Sequence, residues 1–225
     1  MNNTAEYSEV FACRGNMYSF LAQLYKTEVN DGLISSIKNI PDAAEGTDEF
    51  TDGIRIMKKS LKECRDTVTE LAVDYAGTFL GAGKTETEMS AYPYQSVYTS
   101  PKRLLMQDAR DRVLAVYRKF GLDRSEKYNE PEDHIFFELE FMSELCKRLS
   151  INESRNERAE CLRLLNAQRD FITDHLLNWI PSFCRDVERV AETGFYKGLA
   201  KITTAYLQMD AAIVNDLITE YELVG

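Results

Sequence analysis

Apolar residues recur every three or four positions along most of the chain. The longest such run takes in Ile54, Met57, Leu61, Cys64, Val68, Leu71, Tyr75 and Phe79. That spacing holds one stripe toward a core and predicts a helix over 54–79, with Gly81 and Gly83 beyond it as a stop signal. Ser100 as N-cap and Pro101 at the first helical position predict a second helix through Leu104, Leu105, Val113, Val116 and Tyr117 to Phe120, closed by Gly121. A third is predicted after Asn129. It would carry Pro131 in its first turn, the acids Glu130, Glu132 and Asp133 against the helix dipole, and a stripe of Ile135, Leu139, Met142, Cys146 and Leu149. A helix from near Asn156 is expected to end or kink at Pro181. A last long one carries Phe195, Leu199, Ile202, Tyr206, Met209, Ile213, Leu217 and Tyr221. The expected fold class is all-α: one multi-helix globular domain over residues 1–225, with room for a smaller lobe at 1–50.

Polar segments at 41–53, 81–100, 121–130 and 150–157 read as connectors, and only the second half of 81–100 has any strand character. The balance of 27 basic against 37 acidic residues leaves a net charge of −10, which argues against nucleic acid or an anionic membrane as the ligand, since both need a basic face. No apolar run approaches the roughly 20 residues that span a bilayer, and the N-terminal MNNTAEYSEVFACRG lacks the basic and apolar regions of a secretory signal. The cysteines, Cys13, Cys64, Cys146, Cys161 and Cys184, are odd in number and widely spaced, as in a reducing compartment. The expected location is the cytoplasm.

Most site chemistries fail on spacing. Gly83-Lys84-Thr85 resembles the end of a phosphate-binding loop and supports the alternative of a GTP-binding switch or hydrolase using the Gly81–Thr85 loop. That motif needs a glycine where Thr78 stands, and the preceding segment reads as helix rather than strand. With only two histidines, His134 and His175, no Glu-x-x-His pair and no clustered cysteines, no metal is expected. No Gly-x-Ser-x-Gly elbow is present. The expectation is a protein with no catalytic residues and no cofactor.

Two clusters remain: Glu130-Pro131-Glu132-Asp133-His134 at a helix start, and the tyrosine-rich run Tyr92 to Tyr98. Taken with ELAVDYAGTFLG at 70–81, the segments YPYQSVY at 92–98 and NEPEDHIFFELEFM at 129–142 resemble, in order and spacing, the three signature blocks of the TorD/DmsD chaperones of redox-enzyme maturation. The E-P-x-D-H block is the most specific. The segments before residue 54 and after residue 160 match only in helical character.

The resemblance implies an all-α chaperone that binds the twin-arginine leader peptide of a molybdenum-containing reductase precursor. Such a chaperone delays export and assists cofactor insertion and folding. It also implies that a homodimer is open to this chain. Carried over by position, Asp133 and His134 match the pair linked to leader binding, with Glu130 and Pro131 in the same block. Tyr75, Phe79, Tyr94, Ser96 and Tyr98 match positions along the proposed groove. Physically, a basic leader followed by an apolar stretch calls for carboxylates beside aromatic walls. Glu130, Glu132, Asp133 and Glu138 are the candidate acids. On this reading, replacing Asp133 and His134 together by alanine should weaken leader binding and leave folding intact.

Overall fold

Side-chain caps decide where several helices begin. The computed structural model describes residues 3–41, 48–85, 89–123 and 129–223, with side-chain surroundings from Tyr7 onward. In order along the chain come α1 (Asn3–Lys26), α2 (Asp31–Lys38), α3 (Glu49–Glu63), α4 (Thr67–Phe79), α5 (Gln95–Thr99), α6 (Asp108–Lys119), α7 (Ile135–Ser154) and α8 (Arg158–Phe171). A π-helical turn (Ile172–Leu176), α9 (Ile180–Val190) and α10 (Gly194–Leu223) complete the order. The chain is all-α. Among the described residues the single strand-like feature is an isolated antiparallel bridge between Tyr94 and His134.

Several boundaries differ from the sequence expectation, each for a local reason. The run 54–79 is two helices, and the first starts at Glu49, inside the expected connector 41–53; residues 42–47 of that connector lie outside the described ones. Asp48 caps α3 by accepting the Thr51 N–H at 2.9 Å. Asp66 starts α4 by accepting the Thr69 N–H and hydroxyl at 3.3 and 2.8 Å. Glu70 meanwhile reaches back to the N–H groups of Arg65 and Asp66 at 2.8 and 3.0 Å, a reciprocal arrangement that fixes a helix start. The helix expected from Ser100 begins only at Asp108, because Arg103 and Met106 take left-handed φ of 51° and 56°. In the expected loop 81–100, Gln95–Thr99 is helical, and residues 86–88 are outside the description, as are 124–128 of the connector 121–130. α7 runs through most of the connector 150–157 and stops before Asn156, with φ 57°. Pro181 lies in the first turn of α9, where its missing N–H costs nothing, so it opens a helix instead of ending one.

The described chain forms two compact units. One comprises Met1–Gln23, Tyr94–Trp179 and Leu207–Gly225; the other comprises Leu24–Pro93 and Ile180–Tyr206. Residues 1–50 are therefore shared between the two. The first unit holds a buried ion pair, Arg14 Nε to Asp210 Oδ1 at 2.6 Å, backed by the Tyr18 hydroxyl donating to Asp210 and Arg14 donating to Gln168, both at 2.6 Å. Its shared hydrogen bonds offset the desolvation of two charges. The second unit centres on rings: Phe79 lies 5.1, 5.3 and 5.8 Å from Tyr75, Tyr196 and Tyr25. There α3 and α10 cross glycine on glycine, so close that a Cβ on Gly198 would meet the Gly53 carbonyl at 2.6 Å. Among the described residues, no helix is long and apolar enough to cross a membrane.

Candidate functional site

Within the first unit the signature segments 94–98 and 129–142 close on one another through the backbone. The Tyr94–His134 bridge is continued by the Gln95 N–H donating to the Asp133 carbonyl at 2.9 Å. Asp133 then accepts the Ser96 N–H through Oδ2 at 2.8 Å. Ser96 passes the constraint on, its hydroxyl oxygen accepting the Gln107 N–H at 3.1 Å. A buried carboxylate thus pins the start of α5 and, through Ser96, the far end of the loop that follows it. Burial raises the Asp133 pKa, against the Ser96 hydrogen bonds that favour its charge.

His134 is not in the first turn of the helix but is its N-cap, with extended backbone (φ −72°, ψ 136°). Pro131 sets up a single turn in which its carbonyl accepts the His134 N–H at 3.1 Å, and α7 starts only afterwards. The imidazole Nδ1 accepts the Phe136 N–H at 3.0 Å, so that nitrogen must be unprotonated. The Tyr94 ring stands edge-on to it at 4.9 Å. Burial pushes the imidazole down to about 3, which leaves it neutral at physiological pH.

The four candidate acids divide sharply. Glu130 is exposed, and the Tyr94 hydroxyl donates to its Oε2. Glu132 is buried and holds Arg110 at 2.5 Å. Glu138 is wholly buried: its Oε2 accepts the Trp179 indole N–H at 2.9 Å, Oε1 has no hydrogen-bond partner among the described residues, and burial pushes it well above the usual carboxylate range. Asp133 is likewise at zero exposure. Of these four, only Glu130 offers an exposed charge to a ligand; Glu140, farther along the block, is half-buried.

Of the expected groove residues, Tyr94 and Ser96 join Asp133, His134, Glu130 and Pro131 in this cluster. Tyr98 is half-buried, 5.7 Å from the Trp179 ring, with the Arg103 guanidinium 5.0 Å over its face. Tyr75 and Phe79 belong to the second unit, inside its aromatic core, where the Tyr75 hydroxyl donates to the Tyr25 carbonyl at 3.0 Å.

Sequence reasoning missed the loop between α5 and α6. Leu104, Leu105 and Met106 are 51%, 45% and 60% exposed, three consecutive apolar side chains facing water, with left-handed backbone at Arg103 just before them and at Met106 itself. Three apolar residues in a row break the three-and-four spacing of a surface helix, and that was the available signal. The alternative nucleotide loop has the wrong setting. Gly81 (φ 71°) turns the chain back at the end of α4, with the Ala82 N–H donating to the Ala76 carbonyl at 2.9 Å. The loop thus sits at the electronegative end of a helix dipole, where phosphate is disfavoured.

Comparison with known proteins agrees with these blocks. The family model described as nitrate reductase delta subunit matches residues 41–185. The chaperone protein TorD of Photobacterium profundum is 32% identical over 182 residues, covering 81% of this chain and 79% of its own. The chain belongs to the TorD family. A second relative, the TorD chaperone of Vibrio cholerae (strain O395), is 32% identical over 216 residues, covering 92% of this chain and 94% of its own. A crystal structure of a putative redox enzyme maturation protein from Archaeoglobus fulgidus aligns with a TM-score of 0.47 at 20% identity, over 87% of this chain and 92% of that one, too distant to carry further argument. The TorD relatives are named as chaperones and not as enzymes, the class to which the signature blocks pointed.

Proposed function

We propose that this TorD-family protein binds the twin-arginine leader of a molybdenum-containing reductase precursor, delaying export while the cofactor is inserted and the enzyme folds. The observation that carries the reading is the loop at Leu104, Leu105 and Met106, apolar and solvent-facing yet tied back to the buried Asp133 through Ser96 and Gln107. An apolar surface held in one conformation loses little entropy on binding, which favours capture of an apolar segment such as that of a leader. Asp133 serves this surface through Ser96, and His134 fixes the start of α7 and the edge of Tyr94, both as positioning residues. Tyr94, Glu130, Pro131 and Tyr98 supply its polar and aromatic margin. Tyr75 and Phe79 shape the second unit's core.

The test is capture of the full-length tagged protein from anaerobically grown source cells, followed by mass spectrometry of what accompanies it. An unprocessed reductase precursor with its leader attached supports the reading and names the client. Recovery of the processed enzyme alone overturns it.

A further inference from the structure

Phe137, Glu140, Phe141 and Glu144 fall at i, i+3, i+4 and i+7 of α7, so rings and carboxylates alternate along one face of the helix. That face lines a pocket of about 250 Å³ in the first unit. Tyr117 closes the opposite side, its ring 4.9 Å from that of Phe141. The volume lies below the roughly 300–1,000 Å³ of small-molecule and cofactor sites and suits a single long side chain.

Among the described residues, one carboxylate of the pocket is left without a cation. Glu132, also in the lining, holds Arg110 at 2.5 Å, and Glu144 holds Arg148 at 2.9 Å. Arg148 is further tethered to the Phe120 carbonyl at 2.8 Å. Between these pairs Glu140 is half-buried and, among the described residues, has neither a hydrogen bond nor an ion pair. An anion would meet the unpaired Glu140 carboxylate, with the two arginines already engaged. A neutral apolar side chain would desolvate Glu140 with nothing in exchange. A cation finds both a carboxylate and an aromatic lining of Tyr117, Phe137 and Phe141.

We propose that this pocket receives one cationic side chain, arginine or lysine, from a partner polypeptide. The partner is taken to be the leader-bearing precursor, so this assignment rests on the reading above. It moves the acidic part of that recognition from the buried Glu132, Asp133 and Glu138 to Glu140, farther along α7.

The test is a titration of the full chain with N-acetyl-arginine amide, followed by the aromatic NMR signals of Tyr117, Phe137 and Phe141. The uncharged N-acetyl-norleucine amide is the control. Saturable shifts are expected with the arginine probe only. They should weaken about fivefold in Glu140→Gln, as loss of an ion pair on a partly exposed surface implies, and vanish in Glu140→Arg, which supplies its own guanidinium. Glu140 has no partner to lose, so both variants should fold. No saturable shift with arginine, or equal shifts with norleucine, overturns the assignment. A protein that binds the probe in this pocket but captures only processed enzyme refutes the leader reading and leaves the pocket standing. One that captures precursor but shows no shift refutes the pocket alone.

Discussion

Asp133 accepts the Ser96 backbone N–H at 2.8 Å through one oxygen, while its other oxygen is buried with no hydrogen-bond partner among the described residues. A residue with no solvent exposure cannot be a simple contact for a leader. Its effect must pass through Ser96 and the loop that Ser96 holds. Removing it leaves the Ser96 N–H buried and unpaired, and a hydrogen bond to a charged group is worth roughly 1.5–3 kcal/mol. We therefore expect Asp133→Ala to lower unfolding stability by about 2 kcal/mol, and Asp133→Asn, which keeps an acceptor in place, to lose less than half of that. Urea denaturation of the two variants checks it. Equal stability of wild type and Asp133→Ala would show that the carboxylate is dispensable. This revises the sequence-based expectation that alanine at both 133 and 134 leaves folding untouched.

His134 gives a pH signature of defined sign. Its folded pKa of about 3 lies below the ordinary 6.5, so between those values the unfolded chain binds the extra proton. The stability linked to this residue is complete above pH 6.5 and is lost as pH falls toward 3, at up to about 1.4 kcal/mol per pH unit. His175, held down to about 4 by burial, acts in the same direction. Asparagine at 134 can still accept the Phe136 N–H as an N-cap but does not titrate. Stability of His134→Asn measured from pH 7.5 to 5 should therefore fall less steeply than that of the wild type. Parallel slopes would mean that the imidazole is not buried neutral.

The sequence placed Asp133 and His134 side by side at the start of a helix because acids and a proline cluster there. It could not tell which faced water, since helix-start chemistry looks alike on a surface and inside a core. The stripe Ile135, Leu139, Met142 and Cys146 was legible from its spacing, and every one of those side chains is fully buried. The break at Arg65 and Asp66 was not, because the apolar spacing continues through it. Only the cap at Asp66 and its answering Glu70 mark the interruption. The signature tyrosines read as one groove in sequence, yet Tyr75 packs in one unit and Tyr94 in the other. Unit membership depends on which distant segments pair, and periodicity along the chain carries no record of that.

Glu138 should act in the opposite sense to His134. Its folded pKa lies above the usual range, chiefly through burial and secondarily through the Asp133 charge. The folded state keeps a proton that the unfolded chain releases above about pH 4.5, so the stability linked to it is present below that value and lost as pH rises toward the folded pKa. Glu138→Gln can still accept the Trp179 indole N–H but cannot ionise. The stability of this variant relative to wild type should grow as pH is raised from 5 to 8, by at most about 1.4 kcal/mol per unit. Unfolding followed by the fluorescence of Trp179, the lone tryptophan, reports it, and a difference independent of pH would refute a protonated Glu138.

Gly198 tests the crossing on which the second unit is built. A Cβ there would meet the Gly53 carbonyl at 2.6 Å and the Met57 nitrogen at 2.9 Å, both backbone atoms that cannot rotate away. Alanine is normally the better helix former, by about 1 kcal/mol over glycine. Here the overpacking term of roughly 1–3 kcal/mol or more should win, so Gly198→Ala is expected to be destabilising on thermal unfolding. Gly83→Ala meets no atom of the described residues within 4 Å but carries a left-handed φ of 73°, and it should lose only the smaller backbone cost, about 1 kcal/mol. Were the two variants to lose equally, the close approach of α3 and α10 would not be what holds glycine at 198.

The exposed loop separates binding from folding. Leu105 and Met106 each leave about half of their surface in water, so Leu105→Ser with Met106→Ser removes little buried area and should change stability by no more than about 0.5 kcal/mol per site. The same change strips apolar surface that a bound leader would cover, at about 25 cal/mol per Å². For two side chains that is on the order of 2 kcal/mol, roughly a thirtyfold loss of affinity. Calorimetric titration with the leader of the captured precursor measures it. The outcome distinguishes two sites: unchanged affinity in this variant, with loss in Asp133→Ala, would put the contact at the buried cluster itself. Loss in the loop variant at full stability would make Leu104, Leu105 and Met106 the surface that Asp133 holds in place.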